Sequence, residues 1–219
     1  MSLDRWTAVD NYFDARFMAE DAVLEQALQR SQEAGLPEIA VAPNQGKLLQ
    51  MLLQIQGAKN ILEIGTLGGY STIWMARALP EDGTLITLEY EEKHTEIARQ
   101  NIADAGLSDK VTIIVGNARE ILPTLTDYAP FDFIFIDADK PNNPFYIDWA
   151  VKLARSGSII FADNVVRDGE VANPHSTDEK VIGTQEMSDI IANDNRIEAT
   201  ALQTVGAKGY DGFALIRVT

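Results

Sequence analysis

The chain has 219 residues, of which 46% are hydrophobic, and no cysteine, which excludes disulfides, thiolate zinc sites and cysteine nucleophiles. Its 33 acidic and 18 basic residues give a formal net charge of −15, which disfavours binding to nucleic acid backbones and anionic membrane surfaces. No signal segment or membrane span is recognisable, so we expect a soluble, cytoplasmic protein with one domain over residues 1–219.

Two or three helices are predicted before the first strand, within about 3–35 and 43–57. The second range carries a wide apolar stripe, which includes Leu49, Leu52 and Leu53. We expect residues 1–57 to cap a binding crevice or to pair with a second subunit.

From about residue 60, short β-rich runs alternate with longer amphipathic stretches. The runs are NILEI, GTLITLE, KVTIIVG, FDFIFID and GSIIFAD, and the stretches include YSTIWMARAL, EEKHTEIARQNIADAG and NPFYIDWAVKLARSG, the last two ending on glycine. A polar stretch, a helix to about Asn195 and two further β runs follow, with IEATALQTV and GFALIRV joined by the turn GAKGYDG. The pattern predicts an α/β fold over residues 58–219, with a doubly wound, mostly parallel sheet, helices on both faces and a C-terminal antiparallel hairpin.

Polar side chains stand at the ends of the fourth and fifth predicted strands. Asp137 and Lys140 follow the fourth strand, and Asp163 and Asn164 end the fifth, 26 positions after Asp137. The carboxyl ends of parallel strands meet at one edge of a sheet, so these groups should converge there. Two carboxylates and an amide oxygen suit Mg²⁺ or a similar hard cation. Two alternative interpretations are that Asp137 and Asp163 only cap the helices that follow their strands, and that Lys140 is only a salt-bridge partner for Asp139 or Asp137.

The first strand runs directly into a glycine-rich loop, GTLGGYS, which opens the next helix. Glycines allow close approach of a ligand, and Ser71 with the helix N-terminus offers hydrogen-bond donors. Glu89 ends the second strand, 24 residues after Gly65, where its carboxylate can accept ribose hydroxyl protons. With the exit of the third strand at Gly116-Asn117-Ala118, these strand ends predict an adenosine-sized cleft. Taken singly, the loop could be only a tight turn and Glu89 a solvated helix start.

In combination, these motifs resemble the metal-dependent class I O-methyltransferases of the catechol and caffeoyl-coenzyme A type, which use S-adenosylmethionine. The resemblance runs from PNQGKLL through EIGTLGGYS, ITLE, GNA, IDADK and FADN to GYDGFALIRV. It implies a Rossmann-like, seven-stranded sheet, a homodimer, a divalent cation such as Mg²⁺, Mn²⁺ or Ca²⁺, and a small vicinal-dihydroxy aromatic acceptor.

The resemblance also assigns roles to individual residues. The set implied for the cosubstrate is Val41, Glu63, Gly65, Thr66, Ser71, Glu89, Ala118, Asp137 and Asp139. The set implied for the metal is Asp137, Asp163 and Asn164, and Lys140 is the implied catalytic base. Where plant members present an asparagine after the metal-binding pair, this chain has Asp168, so their acceptor cannot be assumed.

Two other enzyme classes compete with this interpretation. A tRNA methyltransferase acting on a hydroxylated base could use the same site, although the net charge disfavours it. A nicotinamide dehydrogenase would share the fold and the ribose acid but needs no triad of oxygen ligands. Of the two histidines, His94 is expected on a solvent-exposed helix face, and His175 lies in the loop after the metal-binding pair. Tyr146 is expected in the core.

Overall fold

The structure is a computed structural model that describes residues 2–219. Three helices precede the first strand, as predicted: α1 (Leu3–Phe17), α2 (Ala22–Glu33) and α3 (Pro43–Gln56). Helix α3 begins at a proline, which suits this position because a backbone N–H there would have no hydrogen-bond partner within the helix. The helix ends at Gly57, which has φ of 69°. Within the described residues, no helix combines the length and apolar character needed to cross a membrane.

The predicted sheet is confirmed. It has seven strands in the order β3-β2-β1-β4-β5-β7-β6. The first five strands are parallel, and β7 runs antiparallel to both β5 and β6. The strands are β1 (Asn60–Ile64), β2 (Thr84–Glu89), β3 (Val111–Val115), β4 (Phe131–Ile136), β5 (Ala154–Asp163), β6 (Ile197–Gly206) and β7 (Gly209–Val218).

Helices cover both faces of the sheet. Successive side chains of a strand point to opposite faces, so they enter two different hydrophobic clusters. In β4, Ile134 and Ile136 belong to one cluster and Phe133 and Phe135 to the other. The remaining helices are α4 (Tyr70–Ala76), α5 (Glu92–Asp104), α6 (Ala118–Ile121), α7 (Asn143–Leu153) and α8 (Glu179–Asn193). Every residue of β4 is buried, as expected for a central parallel strand.

Two boundaries differ from the sequence prediction. Helix α7 ends at Leu153 and not at Gly157, which lies inside β5 with φ of 87°. The register between β4 and β5 shifts at this point, so the extra residues form a bulge beside the sheet. The C-terminal turn is also shorter than predicted, since pairing continues to Gly206 and Gly209 and leaves only Ala207 and Lys208 between the strands.

Candidate active site

A crevice of about 1100 Å³ opens along the carboxyl ends of the parallel strands. Ten of the predicted site residues line it: Val41, Gly65, Thr66, Ser71, Glu89, Ala118, Asp137, Asp139, Lys140 and Asn164. The other two, Glu63 and Asp163, are buried, with exposures of 0% and 5%. The structure therefore brings the whole predicted set to one edge of the sheet.

The glycine-rich loop packs directly against the backbone at the end of β4. Gly65 has φ of 102°, and a Cβ atom there would lie 2.2 Å from the carbonyl oxygen of Asp137. The Asp137 N–H donates to the carbonyl of Ile64 at 2.9 Å. Glycine is required at this position both for its backbone conformation and for the close approach. The two halves of the predicted site are thus held in contact through the backbone.

Glu89 is a buried acceptor and not a solvated helix start. Its Oε2 accepts the N–H groups of Thr66 at 3.2 Å and Leu67 at 2.7 Å, both in the glycine-rich loop. Its Oε1 accepts the N–H of Glu91 at 3.0 Å and lies 3.3 Å from Nδ1 of His94. The expectation for His94 was wrong, because this half-buried ring lines the crevice. The chain turns between the end of β2 and the start of α5, and this turn brings the His94 ring next to Glu89.

Glu63 lies beneath the crevice floor. Its two oxygens accept the hydroxyls of Ser71 and Thr72, each at 2.5 Å, at the start of α4. Burial is the main cause that raises the pKa of Glu63 from 4.5 to about 7, and the two hydroxyls oppose it. In this structure, Glu63 anchors the helix that follows the loop. Thr72 was missed by sequence reasoning, although the consecutive hydroxyl residues mark a helix start.

Replacing Glu63 with glutamine should stabilise the protein at neutral and alkaline pH. The folded protein holds the Glu63 proton more tightly than the unfolded chain, so stability falls as pH rises from 4.5 to about 7. Above this window the deficit is about 3 kcal/mol, which the neutral amide of Glu63→Gln avoids. Thermal unfolding of both proteins between about pH 5 and pH 9 measures this. A stability difference that does not change with pH would contradict the assignment.

The predicted metal-binding residues come together beside Lys140. Lys140 Nζ donates to Asp137 Oδ1 at 3.0 Å, and both Lys140 and Asp163 are buried. Burial first, and then the negative charge of Asp137, raise the pKa of Asp163 to about 7, and the nearby Lys140 opposes both effects. Asn164 adjoins Asp163 in the chain and donates its N–H to Asp163 Oδ1 at 2.9 Å.

This donor set fits a hard divalent cation. Two carboxylates that repel each other, with an amide oxygen next to them, are stabilised by a positive charge between them. Within residues 2–219, no three His, Cys, Asp or Glu side chains form a metal-binding group, and Asn164 is the neighbouring residue that would supply a third protein ligand. No helix begins directly after Asp163, which removes the capping explanation for that residue. The salt bridge between Lys140 and Asp137 does form.

Asp139 is held by two neighbours on the same side of the crevice. The Tyr146 hydroxyl donates to its Oδ1 and the Asn142 amide to its Oδ2, each at 2.5 Å. Burial first, and then the Asp139 carboxylate, raise the pKa of Tyr146. Tyr146 is buried as expected, but its hydroxyl also orders this wall. His175 and Asp168 are exposed.

Comparison with known proteins identifies the family. The profile described as O-methyltransferase matches residues 15–218. A catechol O-methyltransferase from Niastella koreensis is 51% identical over 95% of each chain. The solved structure of the O-methyltransferase from Bacillus cereus in complex with SAH is 53% identical, with a TM-score of 0.98 over 100% of each chain. That of TomG from Streptomyces achromogenes, in complex with SAM, is 47% identical, with a TM-score of 0.97 over 100% of this chain and 99% of that one. The chain therefore belongs to the O-methyltransferase family.

Proposed function

We propose that the protein transfers the methyl group of S-adenosylmethionine to one hydroxyl of a small vicinal-dihydroxy aromatic acceptor, with the help of a divalent cation such as Mg²⁺. The observation that carries the proposal is the convergence of Asp137, Asp163, Asn164 and Lys140 beside the glycine-rich loop. The relative from Niastella koreensis is named a catechol O-methyltransferase, which supports the acceptor class.

The cosubstrate would occupy the part of the crevice lined by the glycine-rich loop, Glu89 and Ala118. Glu89 would accept ribose hydroxyls, and it also orders the loop through the N–H groups of Thr66 and Leu67. Because Glu63 is enclosed by two hydroxyls, we propose that it acts on the methionine part through Ser71, which lines the crevice. S-adenosylmethionine supplies a methyl group on a sulfonium, and transfer requires the acceptor oxygen in line behind that carbon.

The acceptor end of the crevice would perform the proton chemistry. Asp137, Asp163 and Asn164 would hold a divalent cation, whose positive charge would lower the pKa of the acceptor hydroxyls and orient them. Lys140 Nζ lies beside Asp137 at the crevice wall, and in its neutral form it would accept the hydroxyl proton. Burial of this lysine restricts its motion and helps keep it within reach of the acceptor.

Transfer of a labelled methyl group tests the acceptor class. The pure protein would be incubated with labelled S-adenosylmethionine and Mg²⁺, together with catechols, a caffeoyl thioester or bulk tRNA. We expect label on the hydroxyl of a catechol or caffeoyl acceptor. Label in tRNA and in none of the small acceptors would refute the proposed substrate class.

Glu89→Ala should weaken S-adenosylmethionine binding by at least roughly 1.5 to 3 kcal/mol, which is typical of hydrogen bonds to a charged group. The substitution removes the ribose acceptor and also leaves the N–H groups of Thr66 and Leu67 without their partner. Titration calorimetry measures the effect, and Glu92→Ala, an exposed acid in the first turn of α5, is the control. Unchanged affinity in the Glu89 variant would remove this residue from the ribose site.

We propose that residues 1–219 form one O-methyltransferase domain, in which residues 1–57 cap the crevice and contribute to a homodimer. Helix α1 buries none of its residues, and Tyr12, Phe13 and Phe17 form an exposed aromatic row. Light scattering should give a dimer mass, and a monomer at micromolar concentration would contradict the proposal.

We also propose a cytoplasmic location, which the absence of cysteine fits.

A further inference from the structure

The chain leaves β5 through a strained loop that carries Asn164. Asn164, Arg167 and Asp168 have φ of 56°, 54° and 56°, and Gly169 follows with φ of 89°. Residues with side chains rarely adopt this left-handed conformation, and it persists only where surrounding contacts impose it. The contacts that hold this loop therefore also decide where the Asn164 side chain lies.

The neighbouring strand β7 supplies those contacts. Asp211 Oδ1 accepts the N–H groups of Val166 and Arg167, each at 3.0 Å, and that of Gly212 at 2.9 Å. The Val165 N–H donates to the Gly212 carbonyl at 3.0 Å. All three backbone N–H groups that follow Asn164 are thus satisfied by the Asp211-Gly212 pair. Hydrogen bonds to a carboxylate are stronger than those to a neutral oxygen.

Close packing supports the same arrangement. A Cβ atom on Gly212 would lie 2.2 Å from the Leu202 carbonyl and 2.6 Å from Cγ2 of Val166, so no larger residue fits between hairpin and loop. Val165 and Val166 are buried, whereas Asn164 and Arg167 line the crevice. One side of the loop is therefore anchored on β7 and the other faces the site.

The ion pair between Arg167 and Asp211 cannot replace these hydrogen bonds. Its atoms, Arg167 Nη1 and Asp211 Oδ2, are 3.8 Å apart, and both side chains are partly exposed. Such pairs contribute little, because water screens the charges. The backbone hydrogen bonds to Oδ1 are the contacts that define the loop conformation.

We propose that Asp211 is a positioning residue for the metal site, which it serves by holding the 164–168 loop in the conformation that presents Asn164. The inference rests on the proposed function, because it needs a cation at Asp137, Asp163 and Asn164. Asp211 acts through the backbone of the loop and not by contact with the cation or the acceptor.

Binding of Mn²⁺ alone, followed by electron paramagnetic resonance, tests the role without any turnover. We expect Asp211→Ala to raise the Mn²⁺ Kd at least tenfold, and Asp211→Asn, which keeps one acceptor oxygen, to raise it about threefold. Amide hydrogen exchange over residues 164–171 should accelerate in both variants. Affinity for S-adenosylhomocysteine should stay within twofold, since the glycine-rich loop keeps its contacts to Glu89.

Two further variants make the result specific. Glu198→Ala breaks an exposed ion pair with Arg217 on the same hairpin and should leave the Mn²⁺ Kd unchanged. Asp163→Ala removes a proposed ligand and should abolish Mn²⁺ binding. If Asp163→Ala binds Mn²⁺ like the parent protein, the proposed metal site is wrong and the role of Asp211 falls with it.

If Asp163→Ala loses Mn²⁺ while Asp211→Ala keeps the parent Kd and the parent exchange rates, only the role of Asp211 is refuted. Should Asp211→Ala fail to fold, Asp211→Asn decides the question, and an unchanged Kd with unchanged exchange in that variant would overturn the inference.

Discussion

Asp163→Ala is expected to abolish methyl transfer through loss of the cation, with Mg²⁺ affinity reduced by more than the roughly 10- to 100-fold typical of groups that only support metal ligands. The Asp163 carboxylate is buried beside that of Asp137, and the two repel each other although Lys140 lies close by. Removing this carboxylate deletes a ligand and also relieves the repulsion, and both effects lower the affinity of the remaining site for a cation. Turnover of the variant with added Mg²⁺ or Mn²⁺ measures this effect, and a rate equal to that of the parent protein would contradict it.

Chelation gives the matching result in the unmodified protein. Activity should vanish with a chelator and return with Mg²⁺ or Mn²⁺, while S-adenosylmethionine binding survives, because the glycine-rich loop and Glu89 form a separate part of the crevice. For the Asp163→Ala variant, the control is Asp82→Ala, which also removes an aspartate but breaks only an exposed ion pair with Lys59. Full turnover of a dihydroxylated acceptor after exhaustive chelation, verified by elemental analysis, would defeat the metal assignment.

The strand ends could be predicted because a central parallel strand is a short, apolar run followed at once by polar residues. FDFIFI is buried at all six positions in the structure, and Asp137 follows it directly. The same reasoning placed Glu89 and Asp163 at the edge where the crevice opens. The O-methyltransferase relatives then remove the dehydrogenase alternative, which shares the fold and the ribose acid.

The direction of individual side chains could not be predicted from this pattern. In β1, four successive residues are buried, so alternation does not reveal that Glu63 turns towards Ser71 and Thr72 beneath the floor. His94 was placed on a solvent-exposed face because its neighbours on α5 are charged, but the helix begins close enough to Glu89 to bring the ring into the crevice.

Contacts between distant parts of the chain could not be predicted from local sequence patterns. Asp211 lies 45 positions after Val166, and only the antiparallel pairing of β5 with β7 brings its carboxylate to the loop. The motif GYDG was visible in the sequence, but its glycines suggested a turn. In the structure the turn comes earlier, and the aspartate faces the loop after Asp163 and Asn164.

Lys140→Met is expected to lower turnover by a factor on the order of 10²–10⁴, which is the contribution of a general base, and to leave metal affinity intact or slightly increased. The ammonium lies 3.0 Å from Asp137 Oδ1, so its loss removes a positive charge that competes with the cation. The aspartate variant and the lysine variant therefore separate the two roles, since metal affinity falls in the first and not in the second.

The nature of the lysine defect can be tested with pH and with a second substitution. An acceptor that is already ionised needs no base, so higher pH or a more acidic catechol should partly rescue Lys140→Met and should not rescue Asp163→Ala. Lys140→Arg keeps the positive charge beside Asp137 but cannot release a proton at assay pH, so it should be nearly as slow as Lys140→Met. If Lys140→Arg retains most of the activity, the charge matters and the proton does not. If every acceptor loses the same fraction of its rate at every pH, Lys140 only holds Asp137 in place, and ionisation of the acceptor rests on the cation alone.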